Sequence, residues 1–154
     1  MPVFAVILFL LPTFGAVPPF QWPVLPPQVL RRFDPPPEPW LAGHRGVDLG
    51  VPAGAPVRAA GGGIVAWAGP LAGRGVVSIL HAGGLRTTYE PVTATVRVGE
   101  AVAAGTTIGA VEPGHPGCPQ AACLHWGLRR DEAYLDPLAL LGLARYRLLP
   151  LDPP

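Results

Sequence analysis

The chain contains no lysine, and few of its residues are charged. Its 154 residues include 11 basic residues, all of them arginine, and 10 acidic residues, so that 14% are charged and the formal net charge is +1. A protein that binds nucleic acid through the phosphates needs a concentrated basic surface. This composition does not favour one, and we do not expect nucleic acid as a partner.

Long hydrophobic runs are also scarce. The run from Val3 to Leu11 has nine residues, whereas a membrane-spanning helix needs about 20. With the small residues Gly15 and Ala16 after it, this run is typical of a signal-peptide core, although no basic residue precedes it. We expect residues 1–17 to be a signal peptide or a short hydrophobic N-terminus. The protein is then exported to the cell wall or the extracellular space, and it is not an integral multi-span membrane protein.

The chain has only two cysteines, Cys118 and Cys123, within "CPQAAC". In an exported chain, two nearby cysteines most simply form a disulfide. The closed loop is small, so the expected stabilisation is about 2 kcal/mol, and the main effect is to define the loop before His125. The alternative is a free Cys123 thiolate.

Proline and glycine, with 22 and 20 residues, divide the chain into short segments. Residues 18–40 are too rich in proline for a helix or a central strand. They predict an extended arm that lies across the domain or tethers it, with Trp22, Phe33 and Trp40 as packing residues.

From Gly43 onward, short β-branched and apolar runs alternate with glycine and proline. We predict strands in "PVRAA", "GIVAWAG", "GVVSILHA", "LRTTYEP", "ATVRVG", "TTIGAVE" and "CLHWGLRR". Their spacing of about ten residues is typical of a sandwich or barrel. Only "YLDPLALLGLARY" predicts a short helix, starting at Asp136 with Pro137 in its first turn. The expected fold class is all-β, with a proline-rich arm and a short C-terminal helix.

Three polar side chains form a candidate zinc site. In "GHRGVDLG", His44 precedes Asp48 by four residues, and in an extended segment both point to the same side. The alternative is a loop histidine, with Asp48 capping a turn. In "CLHWGLRR", Cys123 and His125 share one face, and Trp126 lies on the opposite, core face. His44, Asp48 and His125 would leave a fourth zinc position open for water, whose pKa zinc lowers to about 7.

Two further histidines have other default interpretations. His81 follows the strand "VVSIL", and we predict a structural role in which it bonds the turn at Gly83 and Gly84. His115 is most simply a solvated loop histidine. The alternative is that a Cys118–Cys123 disulfide folds its loop back over the metal, and this makes His115 the candidate catalytic residue.

Several motifs together resemble one known family. They are "GHRGVDLGVPAGAPVRAAGGGIVAWAG", "GVVSILHAGGLRTTY", "VRVGEAVAAGTTIGAVE", "LHWGLR" and "LDPLALLG". From about residue 40 to 142 the chain resembles the lysostaphin-type (LytM-like) zinc metalloendopeptidases, which cleave peptide bridges of peptidoglycan. The resemblance implies a compact antiparallel β sandwich of the duplicated hybrid (barrel-sandwich) type over residues 41–145, before a tail at 146–154. It also implies zinc ligands at His44, Asp48 and His125.

The chain departs from that family at two positions. The family's His-x-His motif has a catalytic histidine where this chain has Cys123, and the Tyr-x-His motif is reduced to Tyr89 and Pro91. General acid–base catalysis contributes about 10²–10⁴-fold and an oxyanion stabiliser about 10²–10³-fold. Without replacements such as His115 or Glu90, zinc alone would leave a slow peptidase.

Two functions follow from these residues. The first is a zinc metalloendopeptidase-like domain that acts on peptidoglycan peptides, with weak activity or with His115 as a replacement base. The alternative is an inactive, zinc-retaining domain that binds peptidoglycan or regulates another cell-wall hydrolase. A carrier domain is excluded: "VRVGEAVAAGTTIGAVE" resembles half of a biotinyl or lipoyl domain, but the chain has no lysine for the cofactor.

Overall fold

The structure is a computed structural model that describes residues 19–145. The hydrophobic N-terminus (1–17) and the tail (146–154) predicted from the sequence lie outside the described residues. The strands are β1 (Val29–Arg31), β2 (Gly46–Gly50), β3 (Pro56–Arg58), β4 (Gly63–Leu71), β5 (Arg74–Leu80), β6 (Leu85–Glu90), β7 (Val92–Ala94), β8 (Ala101–Val102), β9 (Thr107–Val111), β10 (Cys123–Arg130) and β11 (Ala133–Leu135). Two 3₁₀ segments, Ala82–Gly84 and Pro137–Leu141, complete the elements. Within 19–145 no helix is long and apolar enough to cross a membrane.

The strands form two antiparallel sheets, which confirms the predicted β-sandwich class. The larger sheet has the order β1-β2-β10-β6-β5-β4-β8, with β11 paired to β10, and it is not closed into a barrel. The smaller sheet has the order β3-β9-β7 and packs through β7 against β5. Buried residues of both sheets form one core, among them Val47, Val57, Ile79, Ile108 and Trp126. Strand β10 therefore lies inside the larger sheet, between β2 and β6.

Six of the seven runs predicted as strands form strands, and "ATVRVG" (94–99) is the exception. Ala94 ends β7, and the chain then turns, with the Glu100 N–H bonded to the Arg97 carbonyl at 3.1 Å. Gly99 has a φ of 86° in this turn, a conformation that glycine adopts without steric cost. Val96 is nevertheless buried, so the apolar residue of this run packs into the core from a turn instead of a strand.

The proline-rich arm lies along the edge of the larger sheet. Its central residues form β1, which pairs with β2 alone, and an edge strand tolerates neighbouring prolines because only one side is bonded. Trp22 packs against the core, with its ring centroid 6.3 Å from that of Trp126, and Phe33 is partly buried. The prediction for Trp40 was wrong: its side chain is 78% exposed.

The C-terminal helix is a short 3₁₀ helix, Pro137–Leu141. It begins as predicted, because the Asp136 carboxylate accepts a hydrogen bond from the Leu138 N–H at 2.9 Å and Pro137 occupies the first turn. Gly142, with a φ of 71°, ends it. Leu138 is buried in the core and anchors this segment.

His81 is structural, but its partners are not those predicted. Its Nδ1 lies 2.8 Å from the Gly62 carbonyl and its Nε2 lies 2.7 Å from Thr87 Oγ1, so its side chain does not bond the turn at Gly83 and Gly84. Thr87 in turn contacts the hydroxyl of the fully buried Tyr89 at 2.9 Å. Burial lowers the pKa of His81, although its bond to Gly62 opposes the change, and burial raises the pKa of Tyr89 to about 12.

Candidate metal centre

Asp48 lies at the centre of a cluster of imidazoles on the larger sheet. It is the middle residue of β2, where Val47 and Leu49 are fully buried in the core. Because side chains alternate along a strand, the Asp48 carboxylate points to the other face of the sheet. This carboxylate is itself only 1% exposed, so it is a buried anion and needs compensating partners. The structure thus excludes a turn-capping role for Asp48.

His125 reaches Asp48 from the neighbouring strand. The two residues are direct partners in the β2–β10 ladder, and His125 Nδ1 lies 2.8 Å from Asp48 Oδ1. Leu124 and Trp126, on either side of His125, are fully buried, as their predicted core face requires. Packing of these two residues therefore determines which way the His125 imidazole points.

His44 reaches the same oxygen from the segment before β2. A two-way backbone bridge to Asp34, with N–O distances of 2.8 and 2.9 Å, anchors His44 to the arm. Its Nε2 lies 2.9 Å from Asp48 Oδ1, and its Nδ1 lies 2.7 Å from the Arg32 carbonyl oxygen. The ligand atoms of His44, Asp48 and His125 all lie within 4.8 Å of one another, so these three groups can bind one ion.

The hydrogen bonds of His44 determine what its Nε2 presents to Asp48. A carbonyl oxygen only accepts hydrogen bonds, so the proton of a neutral His44 ring is on Nδ1, facing Arg32. Its Nε2 then directs a lone pair at Asp48 Oδ1, 2.9 Å away. The nitrogen lone pair and the carboxylate oxygen repel each other unless a proton or a cation lies between them. Metal-bound histidines commonly donate their other N–H to a carbonyl in this way. The donor chemistry of His44 therefore fits a metal ion.

His115 lies at the site and not in solvent. Its side chain is 12% exposed, its Nε2 lies 3.2 Å from Asp48 Oδ1, and its ring stacks on that of His125 with centroids 5.4 Å apart. His115 lies in the loop between β9 and β10, and the Cys118–Cys123 disulfide that the cysteine spacing predicts ties this loop to the first residue of β10. The structure thus brings His115 to the three predicted ligands and excludes the default interpretation of a solvated histidine.

The two oxygens of Asp48 have unequal surroundings. Three imidazole nitrogens lie within 3.2 Å of Oδ1, whereas Oδ2 is buried and has no partner among residues 19–145. Burial alone would raise the pKa of Asp48, but its contacts with the imidazoles of His115, His125 and His44 outweigh burial and hold the pKa well below its usual range. Asp48 is therefore an ionised, buried carboxylate with a free oxygen, as a cation ligand requires.

Gly46 is a site residue that the sequence did not reveal. A Cβ added to it would lie 2.6 Å from His125 Nε2 and 2.5 Å from the Trp126 carbonyl oxygen. Only a residue without a Cβ leaves room for the His125 ring at this position. Gly46 can be read in "GHRGVDLG", but the sequence does not show why a glycine is needed there. It is needed for a close contact across the sheet with β10, a strand about 80 residues later in the chain.

Cys123 and Pro91, the two positions at which the sequence resemblance led us to expect histidine, offer no acid or base. Cys123 is fully buried and disulfide-bonded, so its sulfur has no proton to transfer. Pro91 has no titratable group, and the Tyr89 hydroxyl points into the core. Glu90, whose direction the sequence left open, faces the same side of the sheet as its ladder partner His125.

A groove of about 360 Å³ begins at His125 and runs over the larger sheet. Its lining includes Glu90, whose carboxylate is bound by both ends of the Arg74 guanidinium at 2.8 and 3.2 Å. The exposed side chains of Trp67 and Leu71 also border it. A larger hollow of about 460 Å³ lies between the arm and Gln120–Ala122, but it has no titratable side chain in its lining. We therefore consider the groove to be the approach to the site.

Comparisons with known proteins agree with this geometry. The model of peptidase family M23 matches residues 42–137. An uncharacterized protein of Mycobacterium tuberculosis is 56% identical over 136 residues, which cover 85% of this chain and 55% of that protein. The DD-carboxypeptidase/endopeptidase Mpg of Neisseria meningitidis is 33% identical over 98 residues, 63% of this chain and 22% of that protein.

A solved structure gives the same result. Lysostaphin, an antimicrobial peptidase from Staphylococcus simulans, superposes with a TM-score of 0.69 at 25% identity, covering 83% of this chain and 55% of lysostaphin. The chain spans about half the length of the mycobacterial relative it matches. By family model and fold, the chain belongs to peptidase family M23.

Proposed function

We propose that this domain is a zinc-dependent peptidase that hydrolyses peptides of bacterial peptidoglycan. The observation that carries the proposal is the convergence of His44 Nε2, Asp48 Oδ1 and His125 Nδ1 within 4.8 Å of one another. Two imidazoles and a carboxylate are a common ligand set for catalytic zinc. Similarity to a DD-carboxypeptidase/endopeptidase and to the antimicrobial peptidase lysostaphin supports peptide hydrolysis.

His44, Asp48 and His125 would hold the zinc, each oriented by a second contact. The Arg32 carbonyl orients His44, and the ladder between β2 and β10 orients Asp48 against His125. When bound, zinc lowers the pKa of a bound water to about 7 and polarises a carbonyl group. The three residues provide a fixed, largely buried set of donors for this chemistry.

His115 is our candidate for the proton-transfer group. It lies within hydrogen-bond reach of Asp48 through Nε2, and it is the imidazole that the disulfide-tied loop between β9 and β10 brings to the site. A neutral imidazole accepts a proton and an imidazolium donates one, so His115 can hold or move a proton at Nε2. Glu90 is a weaker candidate because Arg74 binds both of its carboxylate oxygens.

The disulfide and the substrate class support an extracytoplasmic location. Disulfides persist in oxidising compartments and are rare in the cytosol, and Cys118 and Cys123 are bonded. Peptidoglycan lies outside the cytoplasmic membrane. We therefore propose that the protein is exported and acts at the cell wall.

The test uses the full chain loaded with zinc and purified peptidoglycan. We expect one zinc per chain and the release of new amino groups. His44→Ala should lose both. His115→Ala should keep the zinc and lose about 10²–10⁴-fold in rate, the usual contribution of a general acid–base group. Gln120→Ala, an exposed position of the same loop, is the matched control and should behave as the wild type.

A second function is supported by one observation. Cys123 and Pro91 carry no group that can transfer a proton, so the domain can retain zinc and bind peptidoglycan, or regulate another hydrolase, without cleaving it. Stoichiometric zinc, binding to peptidoglycan and no release of amines would establish this alternative and overturn the peptidase. A chain that binds no zinc would contradict both functions.

A further inference from the structure

Two arginines face each other along the groove. Arg86 in β6 and Arg129 in β10 are direct partners in the ladder between these strands, and both line the groove that begins at His125. Like charges directly opposite each other on one face destabilise a sheet. An anion bound between the two guanidinium groups would remove this repulsion, so the pair is suited to a negatively charged ligand.

The two arginines differ in how they are held. Arg129 lies 5.1 Å over the Tyr134 ring, and it donates hydrogen bonds to the Asp131 carbonyl at 3.0 Å and to Glu132 at 2.9 Å. Within residues 19–145, Arg86 is exposed and has no ion-pair partner. Arg129 is thus a positioned cation and Arg86 an available one.

Glu132 is an internal competitor that a ligand can displace. Its side chain is 97% exposed, and an ion pair to such an exposed group contributes little to stability. The other arginine of the groove, Arg74, is different, because Glu90 is only 15% exposed and binds it with two hydrogen bonds. The cations of the groove that a ligand can bind are therefore Arg86, and Arg129 once Glu132 is displaced.

The position of the pair along the strand sets its distance from the metal centre. His125 and Arg129 are four residues apart in β10 and share one face, which corresponds to about 13 Å at the rise of a β-strand. An extended peptide advances by a similar rise per residue. A peptide lying along the groove would therefore present to the arginines a group about four residues from its bond at the metal centre.

We propose that Arg86 and Arg129 form a subsite for a free carboxylate of the substrate. Guanidinium groups bind carboxylates through paired, charge-assisted hydrogen bonds. The subsite makes the groove selective for peptides with an acidic group about four residues from the hydrolysed bond. The position of that bond rests on the proposed peptidase function, whereas carboxylate binding does not require hydrolysis.

The experiment measures binding of short, C-terminally amidated alanine–glycine peptides that contain a single glutamate or, in its place, glutamine, so that the glutamate carries their one carboxylate. With the full zinc-loaded chain, we expect the glutamate peptide to bind about tenfold more tightly. Arg86→Gln should remove this preference and leave the glutamine peptide unaffected. Glu132→Gln should strengthen binding of the glutamate peptide, because it removes the competitor of Arg129. Arg130→Gln, which removes the same charge from the opposite face of β10, is the matched control.

Three results would overturn the subsite. They are equal affinities of the two peptides for the wild type, an undiminished preference in Arg86→Gln, and tighter binding of glycerol phosphate, a probe for wall phosphodiesters, than of the glutamate peptide. The same peptides are assayed for cleavage, which separates the two proposals. A preference for glutamate without any cleavage supports the subsite and counts against the peptidase. Cleavage without a preference supports the peptidase and overturns the subsite.

Discussion

Gly46 lies beneath the His125 imidazole, where a methyl group would collide with the ring. The Cβ of an alanine would meet His125 Nε2 at 2.6 Å, so we expect Gly46→Ala to tilt the ring away from Asp48. Displacing a ligand in this way should weaken zinc binding about ten- to a hundredfold, as the loss of an orienting contact does. The zinc affinity of each variant is measured by competition with a chelator.

The control for this substitution is Gly127→Ala. Gly127 is the ladder partner of Gly46, but the nearest atoms to its added Cβ are 3.8 Å away, an ordinary contact. Its zinc affinity should match that of the wild type. Unchanged zinc affinity in a folded Gly46→Ala protein would show that the His125 ring does not depend on this glycine.

Residues of the site could be predicted where the direction of their side chains follows from neighbouring residues in the sequence. His44 and Asp48 were grouped because four residues of extended chain place two side chains on one side, and His125 because strand alternation separates it from Leu124 and Trp126. Contacts with the backbone of a distant segment were not predictable, and the Arg32 carbonyl behind His44 leaves no signal in the sequence around it. The approach of His115 to the site was predicted only as an alternative, through the Cys118–Cys123 disulfide.

A directional chain of buried hydrogen bonds links β6 to His81, which follows β5, and to the segment before β4. With His81 neutral, Ala60 N–H donates to the Tyr89 hydroxyl at 2.9 Å, Tyr89 to Thr87 at 2.9 Å, Thr87 to His81 Nε2 at 2.7 Å, and His81 Nδ1–H to the Gly62 carbonyl at 2.8 Å. This order requires a neutral His81, because a protonated Nε2 could not accept the Thr87 hydrogen. The attachment of β6 to the segment before β4 therefore depends on the protonation state of one buried histidine.

This arrangement predicts that acid destabilises the fold through His81. Burial lowers the pKa of His81 in the folded protein from 6.5, so above 6.5 both states are neutral and the stabilisation is complete. As the pH falls below that value, the unfolded chain binds a proton first, and the free energy of unfolding decreases towards the lower folded pKa. Urea unfolding at pH values on either side of 6.5 measures this decrease.

The matched variant is His81→Gln, whose amide can donate to Gly62 and accept from Thr87 without titrating. It should show a smaller decrease in the free energy of unfolding over the same pH range. The other three histidines are the same in both proteins, so the difference between the two proteins isolates His81. An identical pH dependence in wild type and variant would contradict the assignment.

Whether a strand could be predicted depends on its length and on the strands beside it. Six of the seven predicted runs form strands, and in these runs β-branched and apolar residues are bounded by glycine or proline. The short strands β1, β7, β8 and β11 have two or three residues each, too few for a periodic signal. They are strands because a longer strand lies beside them, as β1 does along β2. The prediction for "ATVRVG" was wrong because no strand pairs with most of this run. Its buried apolar residue, Val96, packs into the core from a turn that contains Gly99.

At the scale of the whole domain, the two faces of the larger sheet have different roles. Its inner face packs against the smaller sheet and holds the apolar side chains of β2 and β10, while the candidate metal centre and the groove lie on the outer face. The residues of the centre come from the segment before β2, from β2, from the loop between β9 and β10 and from β10. A bound ion would therefore connect segments that are far apart in the sequence.

Removal of zinc should for this reason lower the thermal stability of the whole domain. A ligand that binds only the folded state adds about 4 kcal/mol at a thousandfold excess over its dissociation constant, which corresponds to a decrease in Tm of about 10 °C on chelation. Calorimetry of the full chain, dialysed against a chelator and then resupplied with zinc, measures the shift and its reversal. His44→Ala removes a donor without touching the core, so its Tm should not respond to either treatment. A wild-type Tm that is equally insensitive to chelator and zinc would show that the convergence of His44, Asp48 and His125 does not hold a metal ion.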